Sequence, residues 1–166
     1  MQIPVVVSTC DKYLWALRPF SYLFNRYWST GQRVIVVGYA RPDFDLPPNF
    51  SFYSINSQSY PAKKWSSGMM EFFRTGLAPE LFVWLLEDYW LCRTVDVTGV
   101  ATLADYVAMH PGVLRLDLTT DRLYNGDMFD VEAFGHYDII ETPAESPYQM
   151  SLQAGIWRKS HLLRIL

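Results

Sequence analysis

Short apolar runs and segments with helical spacing follow one another along this chain. Short unbroken or alternating apolar runs are typical of strands, whereas apolar residues that recur once per turn are typical of helices. The strands predicted in the first part of the chain cover residues 3–7, 33–37, 51–55 and 81–86. The predicted helices cover residues 13–28, 63–77 and 97–107. Pro19 interrupts the first helical pattern, so we expect a break near Arg18 and a new start at Pro19.

The last third of the chain carries shorter patterns. Strands are predicted at 113–118 and 137–141, with an acidic, glycine-containing loop between them. A final strand is predicted at 148–156, followed by a short helix within 158–166. Strands that alternate with helices indicate βαβ units, so we expect an α/β fold with a mostly parallel sheet. A length of 166 residues predicts a single domain with a proper core.

Composition and charge narrow the function. Hydrophobic residues make up 50% of the chain and charged residues 19%, which excludes intrinsic disorder. The net charge of −3 argues against a general nucleic-acid binder. Acidic residues are concentrated in the second half, where a metal ion would find a favourable field, although a solvated acidic face has the same pattern. Aromatic residues, at 16%, suit either a bulky core or a site that stacks bases or sugars.

The cysteines and the chain start predict a location. Cys10 and Cys92 have neither the spacing of a disulfide framework nor that of a metal site, which favours a reducing setting. The first residues lack the basic and apolar regions of a signal peptide, and no stretch has the apolar length of a membrane span. We therefore expect a cytoplasmic, soluble protein, and the aromatic surface of a small domain allows a homodimer.

Two adjacent carboxylates, Glu87 and Asp88, directly follow the apolar run at 81–86. Ligands of open α/β sheets bind beyond the carboxyl ends of such strands. The sequence contains neither a G-x-G-x-x-G motif nor a phosphate-binding P-loop, so a nucleotide site here needs another way to neutralise phosphate charge. A Mn²⁺ or Mg²⁺ ion shared between carboxylate and phosphate oxygens meets that need.

Three segments together resemble a glycosyltransferase of the GT-A fold. They are the opening strand and turn Val5-Val6-Val7-Ser8-Thr9-Cys10-Asp11, the acidic segment Leu85-Leu86-Glu87-Asp88-Tyr89-Trp90, and residues 148–159. The resemblance implies one GT-A α/β/α sandwich over residues 1–166, short at the C-terminal acceptor side. It also implies a metal-dependent enzyme that transfers a sugar from a nucleotide-diphosphate donor to a glycan or lipid-linked acceptor. The alternatives are a non-catalytic nucleotide-sugar or glycan-binding module and a nucleotidyltransferase.

The two carboxylates receive different roles. Neighbouring residues of a continuing strand point to opposite faces, so only one of them meets the metal directly unless the backbone turns at Glu87. We favour Asp88 as the metal ligand, with Glu87 either behind it or directed at the acceptor. The structural alternative is that the pair caps a turn or forms ion pairs. An inverting enzyme also needs a base, for which Glu87 is one candidate and the loop acids are others, namely Asp121, Asp127 and Asp130.

The remaining candidates contact the donor. In the turn after the first strand, Ser8, Thr9 and Cys10 offer backbone groups to the base, and Asp11 either binds the base or ribose or caps the following helix. Lys64 opens a helix whose free N–H groups favour phosphate, although a solvated lysine is the commoner outcome.

The last candidates each have a structural alternative to contact with a ligand. Trp65 either packs in the core or stacks on the donor. Strand alternation would place Ser151 and Gln153 on one face, where they either line the sugar pocket or give an edge strand its polarity. His161 is a late histidine of the kind that some enzymes of this fold place on the metal, but a surface or core role is the commoner one.

Overall fold

The computed structural model describes residues 2–119, 127–147 and 150–166. The strands are β1 (Val5–Ser8), β2 (Val34–Gly38), β3 (Phe50–Ser54), β4 (Leu81–Leu86), β5 (Arg115–Asp117), β6 (Phe129–Phe134), β7 (Tyr137–Glu141) and β8 (Gly155–Arg158). The α-helices are α1 (Leu17–Tyr27), α2 (Trp65–Arg74), α3 (Val97–Met109) and α4 (Lys159–Leu162). Two 3-10 helices, Asp11–Ala16 and Ala62–Lys64, lead into α1 and α2.

Six strands form the central sheet in the order β3-β2-β1-β4-β8-β5. The pairs β3–β2, β2–β1 and β1–β4 are parallel, while β8 runs antiparallel to both of its neighbours. The prediction of an α/β fold with a mostly parallel sheet is therefore confirmed. The chain leaves β1 towards β2 and β3 and then returns to place β4 on the other side of β1. The strand order thus reverses between β1 and β4.

The apolar strands are covered by helices on both faces, which explains their unbroken hydrophobic sequence. Val83 and Leu85 of β4 belong to the same buried cluster as residues of α1 and α3. Phe82 and Trp84 belong to the opposite cluster, which contains residues of α2 and α4. Successive residues of one strand therefore fill two separate cores, as the two-residue period of a strand requires.

The break expected near Arg18 is confirmed, because the 3-10 helix passes into α1 at Leu17. The start of the new helix differs from the prediction, since α1 begins at Leu17 and not at Pro19. Pro19 instead occupies the first turn of α1, where its missing N–H has no helical partner to lose.

The C-terminal part contains three corrections. The strand predicted at 148–156 is wrong in position, because β8 covers Gly155–Arg158 and pairs with β4 and β5. The strand predicted at 113–118 is shorter, Arg115–Asp117. Part of the predicted acidic loop is β6, which forms an antiparallel hairpin with β7 outside the main sheet. The strand predicted at 137–141 is confirmed as β7, whereas β6 was missed because its residues are mostly exposed and give no run of buried positions.

The β6–β7 hairpin is attached to both ends of α3. Near the N-terminus of α3, the Tyr137 hydroxyl donates to Asp96 Oδ2 at 3.0 Å, while Asp96 Oδ1 caps the helix by accepting from the Gly99 N–H at 2.9 Å. At the other end, His110 Nε2 lies 3.1 Å from Glu132 Oε1. The hairpin is therefore held by side chains far from it in sequence.

Gly99 is required by this attachment. A Cβ at Gly99 would lie 2.6 Å from Asp96 Oδ2 and would collide with the Tyr137 hydroxyl. Alanine in place of glycine inside a helix is normally stabilising by about 1 kcal/mol. Here we expect Gly99→Ala to lower the midpoint of thermal unfolding and to speed amide hydrogen exchange in β6 and β7.

Gly76→Ala is the matched control for this prediction, because no described atom lies within 4 Å of a Cβ built there. We expect that variant to unfold at the wild-type temperature. A Gly99→Ala protein that is more stable than wild type, with unchanged exchange in the hairpin, would contradict the proposed contact.

Candidate functional site

The ends of β1 and β4 lie side by side at the point where the strand order reverses. Ser8 pairs with Leu86 in the parallel register, so the chain leaves both strands at the same level. Thr9 and Cys10 follow β1, and Glu87 and Asp88 follow β4. Ligands of open α/β sheets bind in the crevice at such a switch point. The structure thus brings the predicted β1 turn and the predicted acidic pair together.

Glu87 is turned into the protein. Its residue surface is only 7% exposed, and the Cys10 backbone N–H favours the charged form of its carboxyl group. Burial raises the pKa of the Glu87 carboxyl above its ordinary value; hydrogen bonds from the Glu87 and Cys10 amides oppose this shift, and the Asp88 charge adds to it. Glu87 therefore connects the acidic turn to the β1 turn.

Asp88 is exposed at the surface of the same turn. The strand ends at Leu86, and the Tyr89 N–H closes a turn by donating to the Leu86 carbonyl at 3.1 Å. Because the backbone turns at Glu87, the opposite-face rule of a continuing strand does not apply to the pair. The result is one carboxylate inside and one accessible to a ligand.

The buried carboxyl predicts a pH dependence of stability. A raised pKa means that the folded state holds the Glu87 proton more tightly than the unfolded state. The associated stability is complete below the unfolded pKa and is lost as the pH rises through the folded pKa. We expect wild-type protein to lose stability relative to Glu87→Gln as the pH rises above the ordinary value of 4.5.

Urea unfolding at a series of pH values measures this difference. A difference in stability that is constant with pH would reflect changed contacts of the side chain, and the pH-dependent part of the difference reports the bound proton. Asp43→Asn, at an exposed carboxylate in the loop after β2, is the control and should follow the wild-type profile. Parallel profiles for wild type and Glu87→Gln would contradict the burial argument.

Most polar groups of the β1 turn already have partners in the protein. Ser8 is buried, and its Oγ accepts from Trp84 Nε1 at 3.2 Å. Asp11 Oδ1 accepts from the Ala40 N–H at 3.0 Å, which ties the β1 turn to the segment after β2. The alternative of Asp11 as a helix cap is wrong, because Cys10 holds the cap position and Asp11 is the first residue of the 3-10 helix.

Thr9 and Cys10 differ in their accessibility. Thr9 is buried against Gly38, where a Cβ would lie 2.6 Å from Thr9 Cγ2, and its N–H donates to the Val37 carbonyl at 2.9 Å. Cys10 and Asp11 are exposed, so these two of the four residues of the turn offer accessible side chains.

Lys64 and Trp65 lie at the start of α2, on the sheet face opposite α1 and α3. Trp65 is half-buried, and its ring centroid lies 6.2 Å from that of Trp84 in the core. This contact corresponds to the first of the two roles predicted for Trp65, packing in the core. Lys64 is exposed next to the first turn of the helix.

Gln153 lies in the loop before β8, because no strand covers 151–153. The alternation argument for Ser151 and Gln153 is therefore wrong: Ser151 Oγ accepts from the Gln153 N–H at 3.1 Å. Gln153 nevertheless reaches the acidic turn, since the Tyr89 hydroxyl donates to Gln153 Oε1 at 2.6 Å. Two of the three segments that carry the resemblance are thus in direct contact.

Arg115 and Asp117 are additional residues of this edge that the sequence reasoning missed. They form an ion pair on β5, and Arg115 Nη2 also donates to the Gln153 carbonyl at 3.4 Å. The guanidinium lies 5.2 Å from the ring centroid of Trp157. Opposite charges two positions apart on a predicted strand were the available signal, because such residues share a face.

A cavity of about 1410 Å³ lies beside the acidic turn. Asp88, Tyr89 and Gln153 belong to its lining, and the apolar part of the wall comes from β4, α3 and the hairpin. Ligand pockets commonly measure about 300–1,000 Å³, so the space exceeds what a drug-sized molecule needs. A smaller hollow of about 590 Å³ lies between α1 and the loop after β2, and we give more weight to the larger one because the candidate residues line it.

The acids present limit how a metal could be held. Within the described ranges, no three or more His, Cys, Asp or Glu side chains form a group suited to a metal ion. Asp127 and Asp130 are exposed, with Asp130 on β6, and Asp121 lies outside the described residues. One accessible carboxylate fits a Mg²⁺ ion that takes its remaining ligands from substrate phosphates and water. Directly after β4, Asp88 is an exposed carboxylate that meets this description.

Comparisons with known proteins leave the family open. No protein-family model matches this chain, and a search of curated proteins finds no similar sequence. The resemblance to GT-A glycosyltransferases therefore stays a prediction. Among the helices of the described residues, none combines the length and the apolar character that crossing a bilayer demands.

Proposed function

We propose that this protein is a GT-A-type glycosyltransferase that transfers a sugar from a nucleotide-diphosphate donor to a hydroxyl of a glycan or lipid-linked acceptor. The observation that carries the proposal is the exposed Asp88 beside the β1 turn, at the reversal point of the strand order. This is where open α/β sheets bind nucleotides. The cavity next to Asp88 supplies room for the sugar and the acceptor.

Asp88 would hold Mn²⁺ or Mg²⁺ against the donor diphosphate. The ion, when bound, neutralises the charge that develops on the leaving diphosphate. Glu87 has a different task, because its carboxyl group is buried and interacts with the Cys10 amide, and so would help to position the β1 turn next to Asp88. The two neighbouring acids thus divide binding and positioning between them.

The donor nucleotide is assigned to the β1 turn. Cys10 is exposed there, and the Asp11–Ala40 hydrogen bond orders the neighbouring backbone. Lys64, at the start of α2, would provide a positive charge for the phosphates of the donor from the sheet face opposite α1 and α3. The Tyr89–Gln153 hydrogen bond borders the cavity and would orient the sugar next to the metal.

Calorimetry with UDP-, GDP- and CDP-sugars, each with and without Mn²⁺, tests the proposal. We expect one donor class to bind only in the presence of the metal and to be hydrolysed slowly without acceptor. Metal-independent binding without turnover would instead favour a non-catalytic nucleotide-sugar-binding module. Release of diphosphate from a nucleoside triphosphate and a sugar phosphate would favour a nucleotidyltransferase, and no binding at all would contradict the proposal.

A further inference from the structure

Two exposed tryptophans meet next to the acidic turn. Trp15 and Trp90 are exposed by 62% and 44%, while the other four of the six tryptophans are buried or half-buried. Trp15 comes from the 3-10 helix that follows the β1 turn, and Trp90 comes two positions after Asp88. Their ring centroids are 6.1 Å apart with an interplanar angle of 83°. The two rings thus form an aromatic corner at the proposed site.

The position of Trp90 is determined by the acidic turn itself. Its indole Nε1 donates to the Glu87 carbonyl at 3.2 Å, and its backbone N–H donates to the Asp88 carbonyl at 3.0 Å. The ring is therefore ordered before any ligand binds, which lowers the cost of binding. Mutual contact accounts for part of each ring, but large areas of both remain open to solvent.

We infer that Trp15 and Trp90 form a stacking subsite for a pyranose ring of the acceptor saccharide; this inference rests on the proposed function. A pyranose presents apolar C–H faces and a rim of hydroxyl groups. Tryptophan rings offer a large apolar surface for the faces. Asp88, next but one to Trp90, offers an acceptor for the hydroxyl groups. An acceptor held here would lie beside the metal-bound end of the donor.

The alternative occupant is the base of the donor nucleotide, which also stacks on aromatic rings. The saccharide is favoured because the pair stands next to an exposed carboxylate. A carboxylate oxygen accepts hydrogen bonds from sugar hydroxyl groups, and the proposed function already gives the base of the donor a place at the β1 turn. Titration of the protein with disaccharides and, separately, with nucleotides distinguishes the two occupants.

Indole N–H signals of the tryptophans in a ¹H–¹⁵N spectrum provide the test. The probes are maltose, cellobiose, lactose and chitobiose, followed separately by UDP, GDP and CDP. We expect at least one disaccharide to shift the Trp15 and Trp90 signals and to leave those of the buried Trp84 and Trp157 unchanged. Trp15→Ala should weaken this binding by about fivefold to tenfold, the effect of one lost aromatic contact.

Tyr22→Ala is the matched control, since Tyr22 is also 62% exposed but lies on α1. It should bind the disaccharide like wild type. Trp90→Ala also removes a hydrogen bond within the acidic turn, so Trp15→Ala is the deciding variant. If no disaccharide shifts either signal, or if only the nucleotides do, the inference is wrong. Metal-dependent donor binding in the same sample would then show that the proposed function survives without it.

Discussion

Asp88→Ala is expected to lower the rate of metal-dependent sugar transfer by about a hundredfold or more. Asp88 is the accessible carboxylate at the strand ends, and its loss would leave the ion with ligands from the donor and water alone. Charge stabilisation by a bound metal contributes several kcal/mol in the transition state, and about 1.4 kcal/mol corresponds to a tenfold change in rate. Initial rates measured against Mn²⁺ concentration would show the loss.

Two comparisons make this result specific to the site. Asp43→Ala removes an exposed carboxylate from the loop after β2 and should keep the wild-type rate and metal dependence. Asp88→Ala should also retain the wild-type thermal midpoint, because exposed side chains away from packing contacts contribute little to stability. An Asp88→Ala protein with unchanged metal dependence would remove Asp88 from the mechanism.

The largest effect on stability is expected at Trp84. Its side chain is fully buried between α2 and α4, with ring centroids 5.5 Å from those of both Phe73 and Trp157. It also donates to Ser8 Oγ and so joins β4 to the end of β1. Truncating a buried tryptophan to alanine costs about 3–5 kcal/mol, so Trp84→Ala should lower the free energy of unfolding by about that amount.

Urea unfolding followed by circular dichroism measures the Trp84 effect. Trp15→Ala is the matched control, since Trp15 is mostly exposed, and it should lower the free energy of unfolding by only about 0.5–1.5 kcal/mol, the value of its ring contact with Trp90. A loss below about 1 kcal/mol for Trp84→Ala would mean that the packing around β4 differs from the description above.

The parallel part of the sheet was predictable because its signal is local. The bounds of β4 were predicted to the residue, since Leu81–Leu86 is an unbroken apolar run that ends in two carboxylates. The antiparallel β8 was misplaced because its pairing with β4 and β5 is decided by distant contacts. The strand β6 was missed because its exposed residues give no run of buried positions, and the contacts that Tyr137 and Glu132 make with the ends of α3 join residues far apart in sequence.

The candidate site was predictable as a location but not in its detail. The strand-end rule placed the Glu87–Asp88 pair at the carboxyl end of a parallel strand, and the pairing of that strand with β1 adds the β1 turn to the site. Which acid faces inward depends on the backbone turn after Leu86, and an alternation rule for strands cannot describe a turn. The contact between Tyr89 and Gln153 joins residues 64 positions apart, so no local pattern could reveal it.

Paramagnetic broadening by Mn²⁺ tests the central claim most directly, because it locates the ion without requiring the acceptor. Mn²⁺ is added at low molar ratio to ¹⁵N-labelled protein in the presence of UDP, GDP or CDP, and the amide signals are followed. The proposed site predicts selective loss of the signals of Cys10, Asp88 and Tyr89, and recovery of these signals in Asp88→Ala. Broadening centred on other acidic residues, or no selective broadening with any of the three nucleotides, would contradict a metal-assisted nucleotide site at the ends of β1 and β4.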